Sequence, residues 1–201
     1  MKVSIVTPFF NDSEYLKKLA DSIKSQTHSN WEWILADDGS EESEWQMVVE
    51  MAGADTRIFA IHRDSRKQKG ACACRNTGLD QSSGDYVIFL DADDFLAPSC
   101  LEMRVDVANT SSLSSNEVLY FRTVGFEESN PNLVLWDDAR HPMEWLESIW
   151  SLNPPCQSSG PFWPANRITE IGGWNEEMAV WQDLEIHTRA HLEGVRFVDA
   201  R

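Results

Sequence analysis

The sequence predicts an α/β domain built on a mostly parallel sheet with helices over both faces. Three observations carry that expectation. Short apolar runs that read as strands alternate with segments of helical periodicity through residues 3–109. The strand runs are apolar on consecutive positions, as a sheet covered on both sides requires. Three of them end in polar signatures: Thr7, Asp37-Asp38 and Asp91-x-Asp93. In an open α/β sheet the ligand lies outside the carboxyl ends of the strands, so these ends converge on one crevice.

The elements follow in order. Residues 3–8 form an apolar run stopped by Pro8. Asn11, with Glu14 three residues on, reads as an N-cap, and Leu16, Leu19, Ala20 and Ile23 recur at helical spacing behind it. A second strand, 31–36, runs into the turn Asp37-Asp38-Gly39-Ser40. A helix over 42–52, a strand over 57–62 and a helix over 70–82, closed by Gly84, come next. Asp85-Tyr-Val-Ile-Phe-Leu90 drives directly into Asp91-Ala-Asp-Asp94, and Pro98 opens a helix to about 109. The second half is less regular: strands near 117–126 and 132–136, a helix over 142–151, a Pro/Ser/Gly-rich loop over 153–164, a helix over 180–193 and a strand over 195–199. No repeat or low-complexity linker interrupts the 201 residues, which suits a single domain.

Composition narrows the function classes. With 42% hydrophobic residues the chain has material for a core. Its 17 basic against 33 acidic residues, a net of -16, argue against nucleic acid as a partner, because no cationic field meets the phosphates. No window holds the roughly 18 consecutive apolar residues of a spanning helix, and the strand-like N-terminus is no secretory signal. Cys72, Cys74, Cys100 and Cys156 lack zinc-knuckle spacing and read as small buried thiols of a reducing cytoplasm. Nine Trp are more than packing alone explains.

Asp91, Asp93 and Asp94 fall within four positions at a strand end. Carboxylates that close repel unless a cation shares them, and a hard divalent ion suits oxygen ligands while leaving positions for phosphate. A solvated acidic turn is the other reading. Charge is also uneven: residues 1–75 carry 10 basic and 12 acidic side chains, whereas 76–201 carry 7 and 21. Arg63, Arg66, Lys67, Lys69 and Arg75 concentrate in one stretch, either a cationic strip for a diphosphate or ordinary loop charge.

These residues, taken together, resemble a family. Val3-Ser-Ile-Val-Thr-Pro-Phe-Phe-Asn11, Asp37-Asp38-Gly39-Ser40, Gly70 with Arg75-Asn76-x-Gly78, and Gly84-Asp85 leading to Leu90-Asp-Ala-Asp-Asp94 look like the N-terminal half of a family 2 glycosyltransferase. Gly172-Gly173-Trp174-Asn175-Glu176 and Gln182-Asp183-Leu184-Glu185 resemble its later segments. The resemblance implies a GT-A fold, with 1–97 holding the nucleotide sugar and 98–201 the acceptor. It implies that Thr7, Pro8, Asp38 and the neighbourhood of Asp64 line the nucleotide pocket, and that Arg75 stands near the diphosphate or donor sugar. Asp93 would be the first ligand of Mn²⁺ or Mg²⁺, with Asp91 beside it nearer the ribose or sugar, and Asp183 the general base on the acceptor hydroxyl. The implied reaction inverts the anomeric carbon in a single displacement. A UDP-sugar is the foremost donor, and the acceptor is a saccharide or lipid-linked saccharide of cell-surface polysaccharide or glycoconjugate synthesis. The implied location is the cytoplasm, at the inner membrane face if a segment beyond Arg201 provides peripheral association.

Some residues depart from the pattern. Gln182 stands where the family usually has Glu. His187, one turn past Asp183, reads as structural or as a metal or diphosphate contact. Trp31, Trp33 and Trp45 read as packing, whereas Trp163, Trp174 and Trp181 flank the acceptor-side motifs, where Trp174 or Trp181 would stack on a sugar. A phosphatase using Asp91-x-Asp93 would need a later lysine, and the last lysine is Lys69. A nucleotidyltransferase would want a Gly-rich basic loop after the first strand, and residues 7–12 hold neither Gly nor Lys. A non-catalytic sugar or nucleotide binder remains the third reading, motivated by Gln182.

Overall fold

The computed structural model describes residues 1–127, 130–135, 145–151 and 157–200, and their side chains except within 126–146. Seven strands form one sheet: β1 (Val3–Phe9), β2 (Trp31–Asp37), β3 (Ile58–His62), β4 (Tyr86–Phe89), β5 (Glu117–Tyr120), β8 (Pro161–Pro164) and β9 (Arg196–Asp199). Their spatial order is β3-β2-β1-β4-β8-β5-β9. Strands β3, β2, β1 and β4 are all parallel, in register from Val3↔Trp31 and Val3↔Tyr86 onward. The chain winds outward from β1 to β3, then returns to place β4 on the other side of β1. That reversal makes the carboxyl ends of β1 and β4 the switch point at which such sheets hold ligands.

Helices α1 (Ser13–Lys24), α2 (Glu42–Gly53) and α4 (Cys100–Thr110) accompany this sheet, together with α3 (Ala71–Gln81), α6 (Ala165–Glu170) and α7 (Gln182–Leu192). The core splits in two by strand periodicity. Val3, Ile5, Trp33, Leu35 and Ile88 face one way, onto Leu16, Leu19, Ala20 and Ile23 of α1. Val6, Ile34, Val87 and Phe89 face the other way, toward Cys72, Ile168, Ile186 and Ala190. A short hairpin of β6 (Val124–Glu127) and β7 (Asn130–Leu135) and the helix α5 (Trp145–Trp150) complete the described elements.

Four expectations are corrected. The segment 153–164 is not wholly loop, because β8 lies within it and pairs antiparallel with both β4 and β5. Prolines bracket this strand, and its apolar pair alternates: Phe162 enters one core layer and Trp163 the other. The strand expected over 117–126 breaks after Tyr120: Phe121 N still donates to Gly160 O at 3.0 Å, but Gly160 N turns back onto Gln157 O at 2.8 Å, which ends the β8 side of the ladder. Asn11 does not cap α1. The helix starts at Ser13 after Asp12 with no side-chain cap, while Asn11, at φ 57°, accepts from Glu41 N at 2.9 Å and so ties the β1–α1 turn to α2. Helix α6 was not expected at all. The start of the helix expected over 142–151, residue 136 of the strand over 132–136, and Cys156 lie outside the described residues.

At the amino ends of the strands, Glu32 is buried and accepts from Ser4 Oγ at 2.6 Å, Ser83 N at 2.6 Å and Lys2 Nζ at 2.5 Å. Burial opposes its charge, but these bonds outweigh it and bring the carboxyl down to about 2. Gly84 closes the same corner. A Cβ there would meet Ser4 Oγ at 2.6 Å, Ser4 N at 2.7 Å and Lys2 O at 3.0 Å. Two of these atoms are backbone and cannot turn aside. Gly84→Ala is therefore expected to destabilise by about 2–3 kcal/mol, the upper range of overpacking, and to lower Tm by roughly 5–10 °C. A fall under about 2 °C in a thermal melt would show that the corner yields.

Candidate active site

The switch-point crevice is a cavity of about 420 Å³. Pro8, Asp38, Arg75, Asp91 and Asp93 line it, together with Phe10, Tyr15 and Cys74. Five of the expected site residues thus meet across three strand ends and α3. A second, larger cavity of about 670 Å³ shares Asp12, Tyr15 and Asp93 with it and continues past Asp94 and Phe95 to Thr123 and Ser159. Asp93 stands exposed between the two.

Thr7 and Asp64 are placed differently. Thr7 is fully buried within β1, and its hydroxyl accepts from Trp33 Nε1 at 2.9 Å. Asp64 lies in the loop after β3, where Arg66 grips it at 2.6 Å. Neither is among the residues lining the crevice. The cationic strip is likewise occupied. Arg63 donates to Asp38 at 2.7 Å, Arg66 holds Asp64, Lys67 pairs with Glu176 at 3.0 Å, and Lys69 sits 3.9 Å over the Phe10 ring.

The two aspartates that end β2 divide the work. Asp37 is buried and shapes the turn, accepting from Gly39 N at 3.0 Å, Ser40 N at 2.9 Å and His62 at 3.0 Å. Burial raises the cost of its charge, yet these bonds hold the carboxyl below its usual range. Asp38 takes Arg63 and Gly70 N on one oxygen and lines the crevice.

Arg75 is the hinge of the site. Buried on α3, it donates from Nη2 to Asp91 Oδ1 at 2.7 Å and from Nη1 to Gln182 Oε1 at 2.7 Å. Its guanidinium lies 4.5 Å from the Trp174 ring centre. Burial opposes its charge, but Asp91 beside it more than restores it. One side chain therefore couples the end of β4 to the start of α7, which carries Asp183. The neighbouring Asn76 clamps the later motif, donating to Trp174 O and accepting from Trp174 N, both at 2.8 Å. Motifs separated by a hundred residues are locked to each other.

Gln182 explains its own departure from the family pattern. Its Oε1 accepts from Arg75 as a carboxylate would, while its amide nitrogen donates to Met178 O at 3.3 Å. A carboxylate has no proton for that carbonyl. Asp183 follows, with Oδ1 buried and no hydrogen-bond partner among the described residues. Burial pushes its carboxyl up to about 6, with Arg75 pulling down and Asp91 adding to the rise. Asp94, expected only as a member of the acidic cluster, is also raised to about 6, first by burial and then by the charges of Asp91 and Asp93.

Other candidates resolve by burial. His187 is buried edge-on against Phe197, and burial alone brings it to about 3, so it is neutral core. Cys74 is pushed up to about 12 by burial and nearby Asp38, so it lines the crevice as an inert thiol. Trp163 and Trp174 are core, and Trp181 alone of the acceptor-side trio is exposed. Phe10 and Tyr15 were missed as lining residues, although aromatic residues at the end of β1 and the start of α1 are the signal that would have found them.

A parallel α/β sheet with an aspartate cluster at its switch point and a second region returning antiparallel strands defines the GT-A architecture. The chain belongs to glycosyl transferase family 2, whose sequence profile matches residues 4–116. The glycosyltransferase GlyA of Streptococcus pneumoniae is 31% identical over 167 residues, covering 74% of this chain and 24% of GlyA. S. aureus TarS in complex with UDP-GlcNAc superposes with a TM-score of 0.73 at 19% identity, over 99% of this chain and 56% of that one. The mannosyltransferase PcManGT of Pyrobaculum calidifontis, in complex with GDP-Man and Mn²⁺, gives a TM-score of 0.67 at 14% identity, over 98% of this chain and 54% of that one. The chain thus spans about a quarter of the length of GlyA and little more than half of either solved structure.

Proposed function

We propose that the protein is a metal-dependent, inverting glycosyltransferase that moves a sugar from a nucleotide diphosphate donor, a UDP-sugar foremost, to an acceptor hydroxyl. The observation that carries this reading is the Arg75 bridge, which joins the crevice carboxylate Asp91 to the helix bearing Asp183. Residues 1–97 hold the donor and 98–201 the acceptor. Pro8 and Asp38 receive the nucleoside, with Asp38 facing the base. Thr7 and Asp64 support that pocket from outside its lining, Thr7 by fixing Trp33 and Asp64 by ordering its loop.

The donor set at the crevice mouth fits a hard divalent cation. Beyond its bond to Arg75, Asp91 has Oδ2, which accepts a long bond from Ser158 Oγ at 3.5 Å, and Asp93 is exposed on the crevice. Among the described residues no group of three or more His, Cys, Asp or Glu side chains is arranged to hold a metal. Two carboxylates are the protein share expected of Mg²⁺ or Mn²⁺ that completes its coordination with water and phosphate oxygens. Asp93 and Asp91 would hold such an ion, and when bound it would supply charge stabilisation for the departing nucleoside diphosphate. Asp183 accepts the proton of the acceptor hydroxyl as that oxygen attacks the anomeric carbon from the face opposite the leaving group. Arg75 keeps Asp91 and α7 in fixed relation while this happens.

The acceptor is a saccharide or lipid-linked saccharide of cell-surface polysaccharide or glycoconjugate synthesis, and the chain works in the cytoplasm, at the inner membrane face where its acceptor is lipid-linked. Titration calorimetry with UDP, GDP and dTDP, each with Mn²⁺ and with EDTA, tests the reading. One nucleotide is expected to bind, and only with metal. Asp93→Ala should abolish that binding and Asp183→Asn should spare it. Equal loss in both variants would sink the division of roles, and no binding of any nucleotide would favour the non-catalytic reading.

A further inference from the structure

The loop from β3 to α3 starts and finishes on a single oxygen. Arg63, its first residue, donates from Nε to Asp38 Oδ1 at 2.7 Å, and Gly70, its last, donates its N–H to the same Oδ1 at 3.2 Å. Arg63 is itself held at both ends. Its own N–H donates to Asp37 O at 2.8 Å, and its Nη1 donates to Asp64 O at 3.0 Å and Lys67 O at 2.5 Å. The Arg63 and Asp38 side chains are only 17% and 13% exposed, so salt and water screen this pair less than a surface one.

The turn after β2 does not need this arrangement. Asp37 already supplies the acceptors for Gly39 N and Ser40 N. The Asp38 carboxylate gives nothing to that turn: both of its donors come from the β3–α3 loop, and both fall on Oδ1. Oδ2 receives neither, on a residue that lines the crevice. Cys74, a neighbour in that lining, offers at most a weak S–H donor.

We propose that Arg63 is the positioning residue of nucleobase selection, an inference that rests on the reading of Asp38 as the residue facing the base. By fixing Oδ1, Arg63 turns Oδ2 to the base and holds it there. A carboxylate oxygen only accepts, so the base edge it meets must donate. Uracil, thymine and guanine carry a proton on the ring nitrogen of that edge, whereas cytosine and adenine present a lone pair. A lone pair against a fixed carboxylate leaves two acceptors unpaired, and a site built to bond an N–H rejects the analogue that lacks it. Without Arg63, Asp38 keeps Gly70 N as its one donor from the loop and is free to swing about that bond. Arg63 is not among the residues lining the crevice, so it selects through Asp38 and not by touching the nucleotide.

Calorimetry on the full chain with Mn²⁺ tests this with two pairs of nucleotides, UDP against CDP and GDP against ADP. The wild type is expected to hold UDP or GDP at least about tenfold more tightly than its counterpart. Arg63→Met should bring that ratio to within about threefold by weakening the preferred nucleotide. Arg63→Lys, which can still meet Asp38 but cannot also span the two loop carbonyls, should keep most of the ratio. Asp38→Ala should weaken the preferred nucleotide as far as Arg63→Met does, and the double variant no further, as one residue acting through another requires. A loop that folds badly without Arg63 would instead weaken both members of a pair alike. That result overturns the inference, as do an unchanged ratio in Arg63→Met, an Arg63→Lys as unselective as Arg63→Met, a further loss in the double variant, and a wild type that binds both members equally. A wild type that binds no nucleotide with Mn²⁺ removes the proposed function itself, and this inference with it.

Discussion

Arg75→Met is expected to lower turnover at least about 100-fold while leaving a folded protein. Methionine fills much of the same space but supplies no donor to Asp91 Oδ1 or to Gln182 Oε1, both held at 2.7 Å in the native site. Breaking a fully buried ion pair costs about 3–5 kcal/mol. The Asp91 side chain is 38% exposed and can turn to water, so about 1–3 kcal/mol is expected here. The larger loss is in geometry, because α7 is no longer registered against β4, and small misplacements of a catalytic group cost about 10²-fold. Arg75→Lys should recover part of the stability but little of the turnover, since a compact ammonium cannot serve two acceptors in the fork that guanidinium spans. Removing Arg75 also removes the group that lowers Asp183, so any residual activity should need higher pH. Thermal melts and nucleotide release from the donor check both parts. Turnover within threefold of wild type would show that the bridge does not organise the site.

The half of the fold that holds the crevice was legible because its signals are local. Continuous apolar runs mark β1, β2 and β4, the 16/19/20/23 spacing marks α1, and the polar strand ends mark the crevice. What escaped depends on partners distant in sequence. Pro161 and Pro164 look like loop residues until β4 and β5 lie on either side of them. Thr7 ends an apolar run in sequence, but strand alternation and the Trp33 indole turn its hydroxyl inward. Gln182 looked like a loss because a missing carboxylate is visible in sequence. Its bond to Arg75 and its donation to Met178 O, which a carboxylate cannot make, are visible only in three dimensions. The cationic strip looked available for phosphate because a sequence does not show that Asp38, Asp64 and Glu176 have already paired with Arg63, Arg66 and Lys67.

Asp183→Asn is expected to lower transfer about 10²–10⁴-fold and at the same time raise stability at neutral pH. The native carboxyl is raised from 3.8 to about 6, chiefly by burial, and its Oδ1 has no hydrogen-bond partner among the described residues. Between those two values the folded state binds the proton that the unfolded chain has released, so stability falls as pH rises through this window. Above it the ionised carboxylate costs the fold about 3 kcal/mol at most, since each tenfold change in proton affinity is worth about 1.4 kcal/mol. Asparagine keeps the shape without the charge and escapes that cost. At pH 5 and below, the wild-type group is largely protonated and the advantage should shrink. Transfer follows the opposite course. The wild type should be weakly active below pH 6, rise through it as Asp183 loses its proton, and level off above, while the asparagine variant stays flat and low, about 10²–10⁴-fold down, the usual worth of a positioned base. Melts of both proteins at pH 5 and 8, with transfer rates across the same range, separate the outcomes. A variant that is less stable than wild type at pH 8 would mean that the Asp183 charge is compensated in the fold, and a rate profile without a rise near pH 6 would remove Asp183 from the proton transfer.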